Sequence, residues 1–270
     1  MLTKGLGILF VLTLPALAQM SSQPVSAAVP AVISARQHKP MRLHQFRTDG
    51  SVESENWSGY AVTGSSFTVA QGSWTVPSVN CSKTPNTYAA FWVGIDGYSS
   101  DTVEQTGTDS DCDGRTPSYY AWYEFYPAGS VLISSVPVAV GNQISAEVTY
   151  NGSEFTITIT NETTGKSFST SSTVSGAARS SAEWIAEAPC CTNRGGILPL
   201  SDFGTVDFGQ DYTDIAGTND ATDSSTAGAI GSFGSDVNSI TMVSSRGADE
   251  AVPSALTSDG TSFTVAWKSE

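Results

Sequence analysis

The chain has 270 residues, enough for one large domain, with 26 acidic against 12 basic side chains and a net charge of −14. So acidic a balance disfavours nucleic acid and anionic membranes as partners. With only two histidines, His38 and His44, and four cysteines, few ways remain to build a metal centre or a nucleophile–imidazole pair.

The first segment reads as a signal peptide over residues 1–18. Lys4 gives a basic start, Leu6 to Leu14 an apolar core, and Ala16-Leu17-Ala18 a small-x-small exit before Gln19. A secreted, extracellular protein is therefore expected. No other apolar run is long enough to span a bilayer. Residues 19–52 form a second zone, rich in Ala, Val, Ser and Pro and then basic, with Arg36, His38, Lys39, Arg42, His44 and Arg47. From Ser51 onward 25 acidic side chains face 7 basic ones, a net of −18. A basic leader before an acidic domain reads as a propeptide, an intramolecular inhibitor that docks by charge and leaves later. The mature start is expected between Thr48 and Asn56. The acidic domain also suggests a low working pH, since at about pH 3 to 4 many of its mutually repelling carboxylates are protonated.

The main domain, residues 53–270, reads as short strands punctuated by Gly, Ser, Asn and Asp. Strands are predicted at 57–63, 66–76, 88–96, 101–106, 119–126, 181–187, 202–208, 238–245 and 261–267. Alternation is cleanest in QISAEVTY (143–150) and EFTITIT (154–160), which flank Asn151-Gly152 as a hairpin. About a dozen strands and little helix mean an all-β sandwich or barrel. In a secreted chain, Cys81 with Cys112 is the favoured disulfide, while the adjacent Cys190 and Cys191 are either free or a vicinal bridge.

Much familiar chemistry is excluded. With the leader gone no imidazole remains for a serine or cysteine nucleophile, and HExxH is absent. The tripeptides nearest to a paired-aspartate site are Gln105-Thr106-Gly107 and Ser258-Asp259-Gly260, which do not form such a pair. No metal and no cofactor are expected. The run Asp109 to Gly114 resembles half of a calcium loop, but its twelfth position is Tyr120, so it reads as a turn with exposed carboxylates.

Four strands carry functional groups on the face opposite the core. Strand alternation puts Phe91, Val93 and Ile95 inward and Trp92, Gly94 and Asp96 outward. Val103, Gln105 and Gly107 fall together, with Asp109 beyond. Tyr123 and Phe125 point to the core, leaving Trp122, Glu124 and Tyr126 opposite. Glu183, Ile185 and Glu187 share a face against Trp184 and Ala186. Together these describe a concave sheet face lined by aromatics, carboxylates and an amide, as in a substrate groove.

These strands resemble the glutamic peptidases, or eqolisins. The matching segments, in order, are NWSGY (56–60), WTVPS (74–78), FWVGIDG (91–97), EQTGTD (104–109), YAWYEFYP (120–127) and AEWIAE (182–187), followed by PLSDFGTVDF (199–208). The resemblance implies a sandwich of two bent antiparallel sheets with concanavalin A-like lectin/glucanase topology. It also implies an acid endopeptidase made as a precursor, acting on polypeptides with a catalytic Gln105 and Glu187. Trp92, Asp96, Asp109 and Glu124 would wall the cleft or support the pair. A glutamate with an unperturbed pKa near 4.3 would suit acid operation. Glu183 is the rival for Glu187, roughly 13 Å away along the strand. A monomer is expected. The competing reading is a carbohydrate-binding or glycoside-hydrolysing lectin-like sandwich, though a glutamine cannot replace either carboxylate of a retaining glycosidase.

Overall fold

The computed structural model describes residues 2, 36–48, 50–191 and 196–270. The predicted signal peptide, residue 2 apart, and the leader as far as residue 35 lie outside them. The chain divides into Met1–Ser34 and Ala35–Glu270, and only the second unit is described below.

The basic leader enters as β1 (Leu43–Phe46), antiparallel to β2 (Val52–Ser54). Then follow β3 (Trp57–Thr63), β4 (Val69–Thr75), β5 (Ala90–Ile95), β6 (Val103–Asp113), β7 (Thr116–Tyr126) and β8 (Val131–Ile133). The predicted hairpin is β9 (Gln143–Tyr150) with β10 (Phe155–Asn161), continued by β11 (Lys166–Ser172). Beyond come β12 (Ser181–Glu187), β13 (Thr205–Phe208), β14 (Asp220–Thr222), β15 (Ala227–Ala229), β16 (Val237–Val243), β17 (Asp249–Pro253) and β18 (Phe263–Trp267). A single α-turn (Gln210–Thr213) and a 3-10 segment (Ile230–Asp236) complete the described elements.

Two layers result. In one, the pairing runs β1, β2, β16, β3, β12, β5, β6, β7, β8, antiparallel except for β2 with β16. In the other, β11, β10, β9, β4, β13, β18 and β17 follow one another, and β17 pairs with β16 to join the layers. The core lies between, where Phe91, Val93, Ile95, Trp184 and Ala186 meet Trp74, Ile144, Val148, Ile157 and Ile159. Trp184 Nε1 donates to the Gln71 carbonyl at 2.6 Å and Trp74 Nε1 to Thr108 Oγ1 at 2.9 Å, so each buried indole keeps its polar atom satisfied across the layers. Truncating either indole to alanine should cost about 3–5 kcal/mol.

The hairpin shows how sequence makes this fold. Ile144, Ala146 and Val148 on β9 and Phe155, Ile157 and Ile159 on β10 are buried, while the threonines between them face outward. Asn151 Oδ1 accepts from the Ser153 and Glu154 amides and Gly152 takes φ 100°, which closes the turn. By contrast β5 and β12 are buried at every position. One face of each packs on the second layer. On the other face of β12 the leader lies against Glu187.

Cys81 and Cys112 form the expected disulfide, with S–S 2.03 Å, and Cys190 and Cys191 are bonded to each other. One expectation fails. The run Asp109 to Asp113 is not a turn with exposed carboxylates but the far half of β6, and Asp109 and Asp111 are buried. The hairpin with β7 is long, so the chain reverses only at Gly114, and Tyr120 Oη donates to both Asp109 Oδ2 and Asp111 Oδ2 at 2.7 and 2.9 Å.

Candidate active site

Pairing register brings the predicted residues together. Gln105 lies opposite Gly94 on β5 and Glu124 on β7, while Glu187 ends β12 opposite Ala90. Gly94 leaves room on this face: a Cβ there would meet the Trp92 ring at 3.0 Å and Gln105 Cβ at 3.1 Å. Gly107 serves the same end more severely, because a Cβ would collide with the Phe91 carbonyl oxygen and Trp92 Cβ. The small residues in this region are thus required by close approach.

Glu187 Oε2 accepts from Trp92 Nε1 at 2.8 Å, and Trp92 stands edge-on to Trp57 with ring centres 4.9 Å apart. Gln105 Nε2 donates to Glu124 Oε2 at 3.2 Å. Asp109 takes the Tyr120 hydroxyl, as above. These four positions, with Trp92, form one constellation. Asp96 does not join it. Its carboxylate accepts from the Arg179 and Ser180 amides at 2.6 and 2.9 Å and from Ser100 Oγ at 3.1 Å, so it fastens two loops beyond the end of β5. Glu183, the rival glutamate, lies toward that same end, where Asp96 and Glu104 act on it electrostatically.

The cleft is filled by the chain's own leader. Residues 37–41 cross it, fixed at one end by reciprocal amide–carbonyl bonds between Gln37 and Cys190 and at the other by the Met41 amide on the Gly97 carbonyl. Between these anchors the His38 carbonyl accepts from Gln105 Nε2 at 2.7 Å, and the Lys39 amide donates to Glu187 Oε1 at 3.2 Å. The His38 amide donates to Glu124 Oε2 at 2.9 Å, and the Lys39 carbonyl accepts from Trp57 Nε1 at 3.1 Å. The His38 ring is stacked on Trp122, centroids 3.6 Å apart. Its nitrogens lie 3.3 Å from Glu187 Oε2 and 3.8 Å from Asp109 Oδ1, without well-formed hydrogen bonds. Outside the cleft, Arg36 pairs with Asp111 at 2.9 Å and Arg47 with Asp249 at 3.0 Å.

Electrostatics follow from this covering. Burial pushes Glu187 well above the ordinary carboxylate range; the Trp92 hydrogen bond opposes the rise, and nearby Glu124 and Asp109 reinforce it. Burial likewise lifts Glu124 to about 8, against the pull of the His38 amide. Asp109 rises through burial and then through Asp111. Burial, with Arg36 nearby, drives His38 well below the usual imidazole value. All these groups favour the neutral form beneath the leader. The ordinary glutamate pKa expected from the sequence does not hold in this state, because the carboxyl is buried.

A family model for the peptidase A4 family matches residues 55–255. The chain belongs to that family. The eqolisin resemblance is thereby borne out. Among relatives, aspergillopepsin-2 of Aspergillus niger is 32% identical over 57% of this chain, and scytalidopepsin B of Scytalidium lignicola 34% over 64%. The matched parts span 62% and 66% of those two proteins' own length. A crystal structure of scytalido-glutamic peptidase with a transition state analog inhibitor superposes with TM-score 0.65 at 28% identity, covering 79% of this chain and 98% of that one. The sandwich expected from the sequence accords with this match.

Sequence reasoning noted Trp122 and the basic leader but did not place them in one contact. It missed Trp57 and Asn56, whose Nδ2 reaches toward the Lys39 and Pro40 carbonyls at 3.4 and 3.3 Å. Charge complementarity signalled that the leader docks. Nothing local signalled which of its peptide bonds meets Gln105.

Proposed function

We propose that this peptidase A4 member is an acid-acting endopeptidase in which Glu187 and Gln105 activate water against a peptide bond, and that its leader inhibits it until removed. One observation carries this reading: a polypeptide segment lies in the cleft with a carbonyl on the Gln105 amide and the adjoining N–H on Glu187. In the catalytic cycle, ionised Glu187 takes a proton from a water held beside Gln105, and the water oxygen attacks the scissile carbonyl. The Gln105 N–H donates to the developing oxyanion. Protonated Glu187 then delivers its proton to the leaving amine. Trp92 holds the Glu187 carboxyl in place, while Glu124 orients Gln105 by accepting from the same Nε2 that serves the oxyanion. Departure of the leader would rehydrate Glu187 and let its pKa fall back toward the range in which a carboxylate exists in acid. The amino-terminal pattern supports secretion of the enzyme.

The test is hydrolysis of denatured casein by acid-treated protein, with a panel of polysaccharides alongside. Casein should be cut at about pH 4 and far less at neutrality, as a glutamate base requires. Pepstatin, EDTA, phenylmethylsulfonyl fluoride and iodoacetamide should leave the activity intact. Loss to EDTA, or hydrolysis of a polysaccharide instead, would sink the reading.

A further inference from the structure

We propose that the His38–Lys39 bond is the enzyme's own first substrate, and that the cleft selects it by the flat ring of the residue before the cut. The inference rests on the peptidase reading above and adds the bond and the side chain.

A docked leader could cross a cleft anywhere along its length. Here one peptide bond is centred on the dyad. Its carbonyl oxygen sits 2.7 Å from Gln105 Nε2 and its nitrogen 3.2 Å from Glu187 Oε1, so the two catalytic groups address the two ends of the same bond. The flanking backbone is held on both sides, by Glu124 on the His38 amide and by Trp57 on the Lys39 carbonyl. Anchors at Gln37 and Met41 prevent sliding, and a shift of one residue would bring Gln37 or Lys39 to the carbonyl position. The register is therefore defined by contacts on each side of the bond.

The side chain gives a second, independent fix. His38 is wholly buried and lies parallel to Trp122, at an interplanar angle of 4°. Asp109 and Glu187 stand at its two nitrogens. A planar ring of this size uses the floor of the pocket fully, whereas a small side chain would leave the indole uncovered and the two carboxyls facing a gap. Its neighbours in the cleft, Gln37, Lys39, Pro40 and Met41, remain partly exposed.

The step balances without any co-reactant except water. Water oxygen bonds to the His38 carbonyl carbon as Glu187 takes one of its protons. The resulting oxyanion lies on Gln105. The C–N bond then breaks, its electron pair goes to the Lys39 nitrogen, and that nitrogen takes the proton held by Glu187. One fragment ends in the His38 carboxyl group, and the enzyme chain begins at the Lys39 amine. Burial beneath the leader disfavours the ionised Glu187 that the attack requires, so this cut is slow compared with turnover by the opened enzyme. A tethered substrate held this closely is an inhibitor until the bond is broken.

The full chain should be purified near neutrality and shifted to acid, then followed by intact mass, amino-terminal sequencing and casein hydrolysis in the same samples. A species beginning at Lys39 should appear before any other new terminus, at a rate independent of protein concentration. Glu187→Gln should give none of it. His38→Ala should slow it about threefold to tenfold, and His38→Phe should restore most of the rate. A synthetic peptide of residues 34–44, offered to opened enzyme, should be cut between its first histidine and lysine, which tests the bond without relying on any variant to fold. Casein hydrolysis with the 38–39 bond intact in both chain and peptide would overturn the proposal alone. A cleavage rate that rises with protein concentration would overturn the tethered step. Failure of every sample to cut casein would overturn the peptidase reading itself.

Discussion

Glu187 and Glu183 stand on one face of one strand, both wholly buried, yet their surroundings differ. Glu187 is covered by residues 38 and 39 of the leader and has a tryptophan N–H and a backbone amide as donors. Glu183 is buried toward the other end of the strand, beside Asp96 and Glu104. Neither of its oxygens makes a well-formed hydrogen bond among the described residues. Burial raises its pKa well above the carboxylate range, the nearby Ser181 hydroxyl lowers it somewhat, and Asp96 and Glu104 raise it further. Residues 38 and 39 lie against the first carboxyl. Burial alone therefore does not separate the two carboxyls; their hydrogen-bond partners do.

The largest effect that tests this contrast is on rate. Glu187→Gln should lower casein turnover by about 10² to 10⁴ while Glu183→Gln leaves it within a few-fold. The reverse result would exchange the roles of the two ends of β12. Gln105→Ala should cost about 10² to 10³ in kcat through loss of the oxyanion donor. Combined with Glu187→Gln it should add little, since both groups serve one water and one transition state.

Removing the Cys81–Cys112 bridge, which closes a separation of 31 residues, should lower stability by about 2–4 kcal/mol. The bridge holds the far end of β6, past Asp109 and Asp111, so denaturant midpoints should drop while the Glu187-to-Glu183 rate contrast survives. If the contrast vanished with the bridge, the dyad geometry would depend on that end of the hairpin.

The smallest effect is in the pH dependence of stability. Burial lifts Glu104 to about 9, with Asp96 adding to it, and Glu124 to about 8, from an ordinary value of 4.5. Carboxyls so raised bind more protons folded than unfolded. Their contribution is full below 4.5 and is lost as pH climbs through 8 and 9. The full chain's melting temperature should accordingly fall steadily over that window. Glu183→Gln should flatten the fall and raise the midpoint at neutrality, because an amide has no proton to lose. A lower neutral midpoint in that variant would show that the Glu183 carboxyl is better accommodated than its surroundings suggest.

Much of this was legible in the chain. Residues 57–63, 143–150 and 181–187 were read as strands with the same limits the structure has, because alternation and turn residues are local properties. The inward and outward faces of β5 and β12 followed from the same rule, and the family segments pointed to Gln105 and Glu187. The run at Asp109 was misread for a physical reason. Asp, Ser and Gly in close succession are turn formers in isolation, but here a tyrosine from the partner strand, an arginine from the leader and a disulfide make a buried strand the better home for those carboxyls.

The amino-acid sequence by itself thus determined the strand set, the core face, the Cys81–Cys112 pairing, the family and the charge by which leader and domain attract. Only the tertiary structure decided that Asp96 fastens loops rather than lining the dyad, and that His38 and Lys39 lie across it. These depend on contacts between residues 67 to 148 positions apart. Periodicity reports which side of a strand a residue occupies. It carries no information about which distant segment will cover that side, because that choice is made by register and shape when the layers and the leader pack together.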